Sequence, residues 1–341
     1  MLLQLRLRVM APSLVFPFAL ALAGCDLPRA YGDANAIIVA AAPEVWTQTE
    51  ATFRDAMEPT ILTVRDERPF RITYQDPMGG QAWGNLRRFR EVLVIGRAED
   101  PWIAEPLALL QEGAAPEPPA IFQVDNVWSR GQTVSVLLLP AGDAEASVAQ
   151  LAPALQEILD RQFRQHALAR MFASGSDQPL ADSLFANTGF SLNVPQVYRM
   201  EVRDSLYRFR NDFPSPRELI REIWVTWESP IPEANPTREE LASWRTNLSS
   251  EQYNDPQLLD TAMVAQYRGV TVNGLEGVEF QAAWVNAPGG WPAGGPFIVR
   301  AVRCPSEDRL YYMDAWLYAP GRDKYEYMIQ LETILNSFRC R

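Results

Sequence analysis

The 341-residue chain has one histidine, His166, three cysteines and one lysine, Lys324, so arginine carries nearly all of its positive charge. Each scarcity excludes a class of chemistry. A single histidine and two late cysteines, Cys304 and Cys340, cannot supply the common His/Cys zinc constellations, so no metal site is predicted. A histidine-based serine triad would depend on His166 alone, and there is no G-x-S-x-G elbow. Two glycine-rich stretches, "MGGQAWG" and "APGGWPAGGPF", lack the P-loop lysine and read as turns that need positive φ. No cofactor motif and no catalytic constellation remain. Three cysteines exclude a disulfide-rich scaffold. With 42 acidic residues against 31 basic ones, the net charge of −11 argues against a nucleic-acid partner and against a polybasic lipid-binding face. Beyond the first two dozen residues there is no long apolar run.

The front end is built differently. Arg6 and Arg8 precede an uncharged apolar run, Val9 to Ala23, which is shorter than the span of about twenty residues a membrane helix needs. The run closes on Leu22-Ala23-Gly24-Cys25, which resembles the lipobox of bacterial lipoproteins. The resemblance implies that residues 1–24 are a signal peptide and that Cys25 is acylated. Residues 25–35 then form a tether, and the protein lies in the cell envelope, facing the periplasm or the exterior. Its membrane contact would be the acyl chains on Cys25, each buried methylene contributing about 0.8 kcal/mol. Cleavage would remove Arg6 and Arg8 but no acid, moving the charge from −11 to −13.

Residues 36–174 alternate strand and helix, which predicts a layered α/β domain. "AIIVAAA" reads as a buried strand and Pro43 to Met57 as a helix. Strands follow at Phe70 to Tyr74, Glu91 to Gly96, Ala120 to Trp128 and Thr133 to Leu139. Asp143 caps a helix running to about Phe172, and the polar "SGSDQP" marks the boundary. Residues 190–341 carry strands with few crossover helices, which predicts an antiparallel α+β domain. Thr237 and Glu240 form a capping box. Val278, Phe280, Ala282 and Trp284 alternate with Glu279 and Gln281, so this strand is expected to have one wet face.

"GGPFIVRAV", followed by "DAWLYAPGRDKYEYMIQLETIL", is similar to the C-terminal signature of an uncharacterised bacterial lipoprotein family, domain of unknown function 4837. That resemblance reaches over nearly the whole chain after Cys25 and implies an envelope lipoprotein without assigning an activity. "FSLNVPQVY" and "LETILNSF" resemble the ends of PsbP-like domains, in which helices pack an antiparallel sheet and which mostly assist membrane assemblies.

The remaining candidates are few. His166 lies at the edge of the Asp143-capped helix's apolar stripe and reads as packing. Asp314, Glu239 and Glu240 read as solvated acids. Trp291, among Pro and Gly, either folds back as a lid or stands out to anchor a partner. Cys304 and Cys340 meet if the helix from about Asp323 returns along the strand Leu310 to Tyr318 and ends by Arg339, which predicts a disulfide. Two functions follow: a non-catalytic binding or accessory module for an envelope protein partner, or a carboxylate-based hydrolase of envelope glycans or peptides. The second needs two facing acids in an aromatic cleft.

Overall fold

The computed structural model describes residues 27–111, 115–212 and 219–341, so Cys25 and the signal-like segment lie outside the described residues. The first half contains β1 (Ala36–Ala40), α1 (Pro43–Met57), β2 (Arg71–Gln75), α2 (Gln81–Leu86), β3 (Glu91–Gly96), α3 (Pro101–Leu107), β4 (Ala120–Asp125), β5 (Thr133–Leu138) and α4 (Ala144–Met171). Its strands lie in the order β2-β1-β3-β5-β4, and only β4 is antiparallel. Strands apolar on both faces call for helices on both sides. Ile37 and Val39 pack with residues of α1 and α4, while Ile38 and Ala40 pack with Trp83 and Trp102 on α2 and α3. The Asp143 carboxylate accepts the Ala146 N–H at 3.0 Å and fixes the start of α4. Helix α3 was not expected, because "PWIAEPL" carries two prolines. Pro101 sits in the first turn, where its missing N–H costs nothing. Residues 28–31, expected as tether, are docked: Arg130 N–H donates to Pro28 O at 2.8 Å and Ala30 N–H to Arg130 O at 3.0 Å.

The second half contains α5 (Gln178–Thr188), β6 (Phe190–Ser191), β7 (Arg199–Arg203), β8 (Leu206–Asn211), β9 (Ile220–Glu228), α6 (Arg238–Gln252), β10 (Gln257–Leu259), β11 (Gln266–Val272), β12 (Leu275–Asn286), β13 (Gly294–Cys304), β14 (Arg309–Tyr318), α7 (Tyr325–Asn336) and β15 (Arg339–Cys340). Eight strands form one antiparallel sheet, in the order β10-β12-β13-β14-β9-β8-β7 with β11 on β12. The fold is thus an α/β unit followed by an α+β unit. Helices α5 and α7 cover one face of the large sheet, and α6 covers part of the other.

Helix α5 starts within the last two residues of the "SGSDQP" stretch read as a boundary and fills the segment after it. Asp177 caps it, and Gly189 ends it at φ 92°, where a Cβ would collide with the Glu307 carboxylate. The wet face expected around Glu279 is absent. Glu279 is buried and accepts from Arg300 Nε at 2.7 Å and Arg268 Nη2 at 2.7 Å. The reason is the cover on both faces of the sheet: a charge there must be paired, because no water reaches it.

The two halves meet along α4 and α7. Ile329 of α7 belongs to the core of the first half, and Tyr325 stacks on Phe163 with centroids 5.7 Å apart. Glu67, also buried, accepts the N–H groups of Lys324 at 2.6 Å and Tyr325 at 2.7 Å, so a carboxylate from one half caps a helix of the other.

Candidate functional site

Even-numbered positions of β9, β12 and β14 place Trp224, Trp284 and Trp316 on the face beneath α6, with Leu241 and Leu248 of the helix packed on it. The expected capping box starts that helix: Thr237 N–H donates to Glu240 Oε2 at 2.7 Å, and Glu240 N–H to Thr237 Oγ1 at 3.2 Å. The Thr237 N–H and hydroxyl both donate to the Glu240 carboxylate and hold it below its usual range. The helix ends at Gln252, before the sheet does. What it leaves uncovered is a groove of about 430 Å³, floored by Trp284, Trp316 and Tyr318 and walled by Tyr253 and Trp291.

Beside these tryptophans, on the same face of the sheet, lies a buried charge network. Glu222, with its side chain entirely buried, accepts from Arg208 at 2.8 Å, from Arg210 at 2.6 Å and from the Tyr253 hydroxyl. That hydroxyl in turn accepts the indole N–H of Trp224 at 2.6 Å and of Trp316 at 3.1 Å. Desolvation and the Glu222 charge both raise the Tyr253 pKa, so it stays protonated. Asp314 accepts from Arg245 Nε at 3.0 Å, and Arg245 also reaches Gln257 at 2.6 Å. Burial pushes the Asp314 carboxyl up to about 6 against the pull of Arg245.

Trp316 pairs with Glu222 across β9 and β14, and Asp314 pairs with Trp224, so the two acids share one face. Asp314 is not the solvated acid the sequence suggested: it is 3% exposed. Nor do the two acids face each other across the groove. Serving as an acid and base would require stripping each from its arginines, which costs several kcal/mol. Asp255 lines the groove as well, beside Gly290.

Two polar atoms near the groove are unsatisfied. Trp284 Nε1 and Gln252 Oε1 are buried without hydrogen-bond partners among the described residues. Trp284 also explains the "GGPF" motif. Gly295 has ordinary backbone angles; what it needs is space. A Cβ there would be driven into the Leu317 carbonyl oxygen and would lie 2.8 Å from Trp284 Nε1. In the upstream turn the expectation of positive φ applies to Gly289, at 91°.

Trp291 is 69% exposed at the groove mouth, so it is no lid on its own core. Its loop is nonetheless fixed: Asn286 Nδ2 donates to Trp291 O at 2.8 Å, and Asn286 N–H to Ala293 O at 3.0 Å. Cys304 and Cys340 are joined by a disulfide with Cα atoms 6.4 Å apart. Helix α7 stops at Asn336, and the chain returns as β15 on β6, which lets Cys340 turn inward. This site is on the opposite side of the sheet from the groove. Glu239 lies exposed on the first turn of α6, and His166 is half-buried on α4. Among the described residues, no cluster of three His, Cys, Asp or Glu side chains is placed to hold a metal. No helix there is long and apolar enough to cross a membrane. The Glu222 and Tyr253 network was missed from sequence. Its one local signal was a charge between Arg221 and Ile223 within "REIWVTWESP", on the same side as Trp224.

Comparison with known families bears on the motif-bearing half. Residues 178–337 match the family model DUF4837, a domain of unknown function. The match begins at α5 and ends in the turn after α7, so the DUF4837 region is narrower than the nearly full-length similarity expected. Its motifs have structural roles. "GGPF" opens β13 at the close approach described above, and "YAP" ends β14. In "QLETIL", Leu331, Ile334 and Leu335 are buried, Gln330 accepts from Arg221 at 2.9 Å, and Glu332 holds Arg164 at 2.9 Å. No curated protein matches the sequence. Among solved structures, the chain is similar to the Ran-binding protein Mog1p of Saccharomyces cerevisiae at 12% identity and TM-score 0.30, covering 45% of this chain and 90% of that one. It is likewise similar to cyanobacterial PsbP (CyanoP) from Synechocystis sp. PCC 6803 at 14% identity and TM-score 0.30, covering 45% and 87%.

Proposed function

We propose that this is a lipid-anchored envelope protein without catalytic activity, which holds an envelope protein partner in the groove under Trp291. The carrying observation is the combination at one place of a fixed, 69% exposed tryptophan and a groove beside which the buried carboxylates Glu222 and Asp314 are both held by arginine. Such a surface offers an apolar anchor and unsatisfied amide and indole groups, but no free acid–base pair. The anchor itself rests on the sequence Leu22-Ala23-Gly24-Cys25. Because Pro28 is docked on the folded body, only Asp26 and Leu27 separate it from an acylated Cys25. The body would therefore sit against its membrane.

Two experiments test this reading. Growth with labelled palmitate labels the wild type and not Cys25→Ala; label on the mutant contradicts the anchor. Affinity capture with the acylated protein recovers a discrete partner that Trp291→Ala loses and Trp291→Phe retains. Hydrolysis of an envelope glycan or peptide that is abolished by Glu222→Gln or Asp314→Asn would instead establish the carboxylate hydrolase.

A further inference from the structure

A second cavity, of about 490 Å³, opens where the two halves meet, between α4, the segment before α7 and the N-terminal ends of β1, β2 and β3. Its positive groups are Arg71, Arg90, Arg170 and Arg322, an unusual concentration in a chain with net charge −11. The acids that face it are already committed. Asp33 pairs with Arg71, Glu326 pairs with Arg170 at 3.0 Å, and Asp323 pairs with Arg65 at 3.3 Å.

Two guanidinium groups are left over. Arg90 makes no ion pair among the described residues, and its Nε is buried without a hydrogen-bond partner. Arg322 makes neither an ion pair nor a side-chain hydrogen bond there. A buried donor such as Arg90 Nε costs free energy unless an acceptor is supplied. His166, the only histidine, shares the cavity, and its pKa is lowered by burial and by Arg90 and Arg170. The lowering by two arginines reports a positive field at the imidazole. A smaller recess continues inward past Arg90 and His166 to Glu91. Burial pushes that carboxyl up to about 7 against the pull of Arg90, so its negative charge is only partial near neutral pH.

We infer that this cavity is a binding site for a phosphate-class oxyanion, held by the forked guanidinium groups of Arg90 and Arg322 with His166 beside them. Arginine suits that chemistry because its planar donors match phosphate oxygens two at a time. The anion would satisfy the Arg90 donor and bridge the two halves. It could be free phosphate or the headgroup of an anionic lipid, since the cavity also includes residues 32–35, a few positions after Pro28. The inference does not depend on acylation of Cys25.

The test is calorimetric titration of inorganic phosphate into the full chain in neutral detergent at 150 mM chloride. One-site binding is expected, weakened about tenfold or more by Arg90→Gln or Arg322→Gln and unchanged by Arg203→Gln on β7. A rise in the wild-type unfolding midpoint with phosphate gives a second reading that needs no mutant to fold. Displacement of phosphate by phosphatidylglycerol vesicles but not by phosphatidylcholine vesicles identifies a lipid headgroup; no displacement by either identifies a free anion. Absence of both heat and midpoint shift at millimolar phosphate overturns the site. So does binding that Arg90→Gln and Arg322→Gln leave intact.

Discussion

Gly295→Ala offers a sharp test of how the large sheet is held. The residue lies on β13, between Trp284 of β12 and the Leu317 carbonyl of β14. One added methyl would lie 1.7 Å from that backbone oxygen, so the strands must separate locally rather than adjust a side chain. Overpacking of this kind costs about 1–3 kcal/mol. Loss of one or two ladder hydrogen bonds adds about 1 kcal/mol each. The expected destabilisation is therefore about 2–5 kcal/mol, read as a lower denaturant midpoint at unchanged slope. Gly84 in α2 is the internal control, since a Cβ there meets nothing within 4 Å. Gly84→Ala should stabilise by about 0.5–1 kcal/mol, the helix-propensity difference. Tryptophan fluorescence follows the same transition through Trp284. A Gly295→Ala midpoint within 1 kcal/mol of wild type would refute the steric account and reopen "GGPF" as a ligand-binding motif.

Removing the disulfide as Cys304→Ser/Cys340→Ser frees a loop of sequence separation 36 and should cost about 3–4 kcal/mol, checked by urea unfolding of oxidised wild type against the double mutant. Asp314, with its folded pKa pushed up to about 6, holds its proton more tightly folded than unfolded. Its contribution to stability is therefore complete below about pH 4 and is lost as pH rises through about 6. Relative to Asp314→Asn, the wild type should lose about 2–3 kcal/mol between pH 4 and 7; a difference independent of pH would contradict this. Glu67→Ala removes the carboxylate that caps α7 and should cost about 1–2 kcal/mol, while Glu67→Gln, which keeps an acceptor, costs less; thermal unfolding separates them.

Local signals carried much of the fold. Asp143 and Thr237 announce α4 and α6 because a cap needs only the next three residues, and Pro43 to Met57 is bounded as its period suggests. The misses have physical causes. Prolines hide α3, and polar first-turn residues hide α5. Glu279 read as solvent-facing because period-2 alternation separates the faces of a strand but does not say which faces are covered. The Glu222 network draws on β8, β9 and α6, and the oxyanion cavity on both halves, so no spacing within one segment could reveal either. Trp291 was legible as unusual from its Pro and Gly neighbours, but its exposure depends on where α6 stops.

The central claim is that the groove under Trp291 receives a partner while the protein sits at its membrane. A photo-crosslinking amino acid placed at position 291 in intact cells tests it directly, with position 78 as control, since Met78 is 71% exposed but lies between β2 and α2 of the first half and does not line the groove. The account predicts one discrete adduct from position 291, none from position 78, and loss of the adduct when the groove wall is altered by Tyr253→Ala. Equal, diffuse crosslinking from both positions, or none from 291, would contradict it.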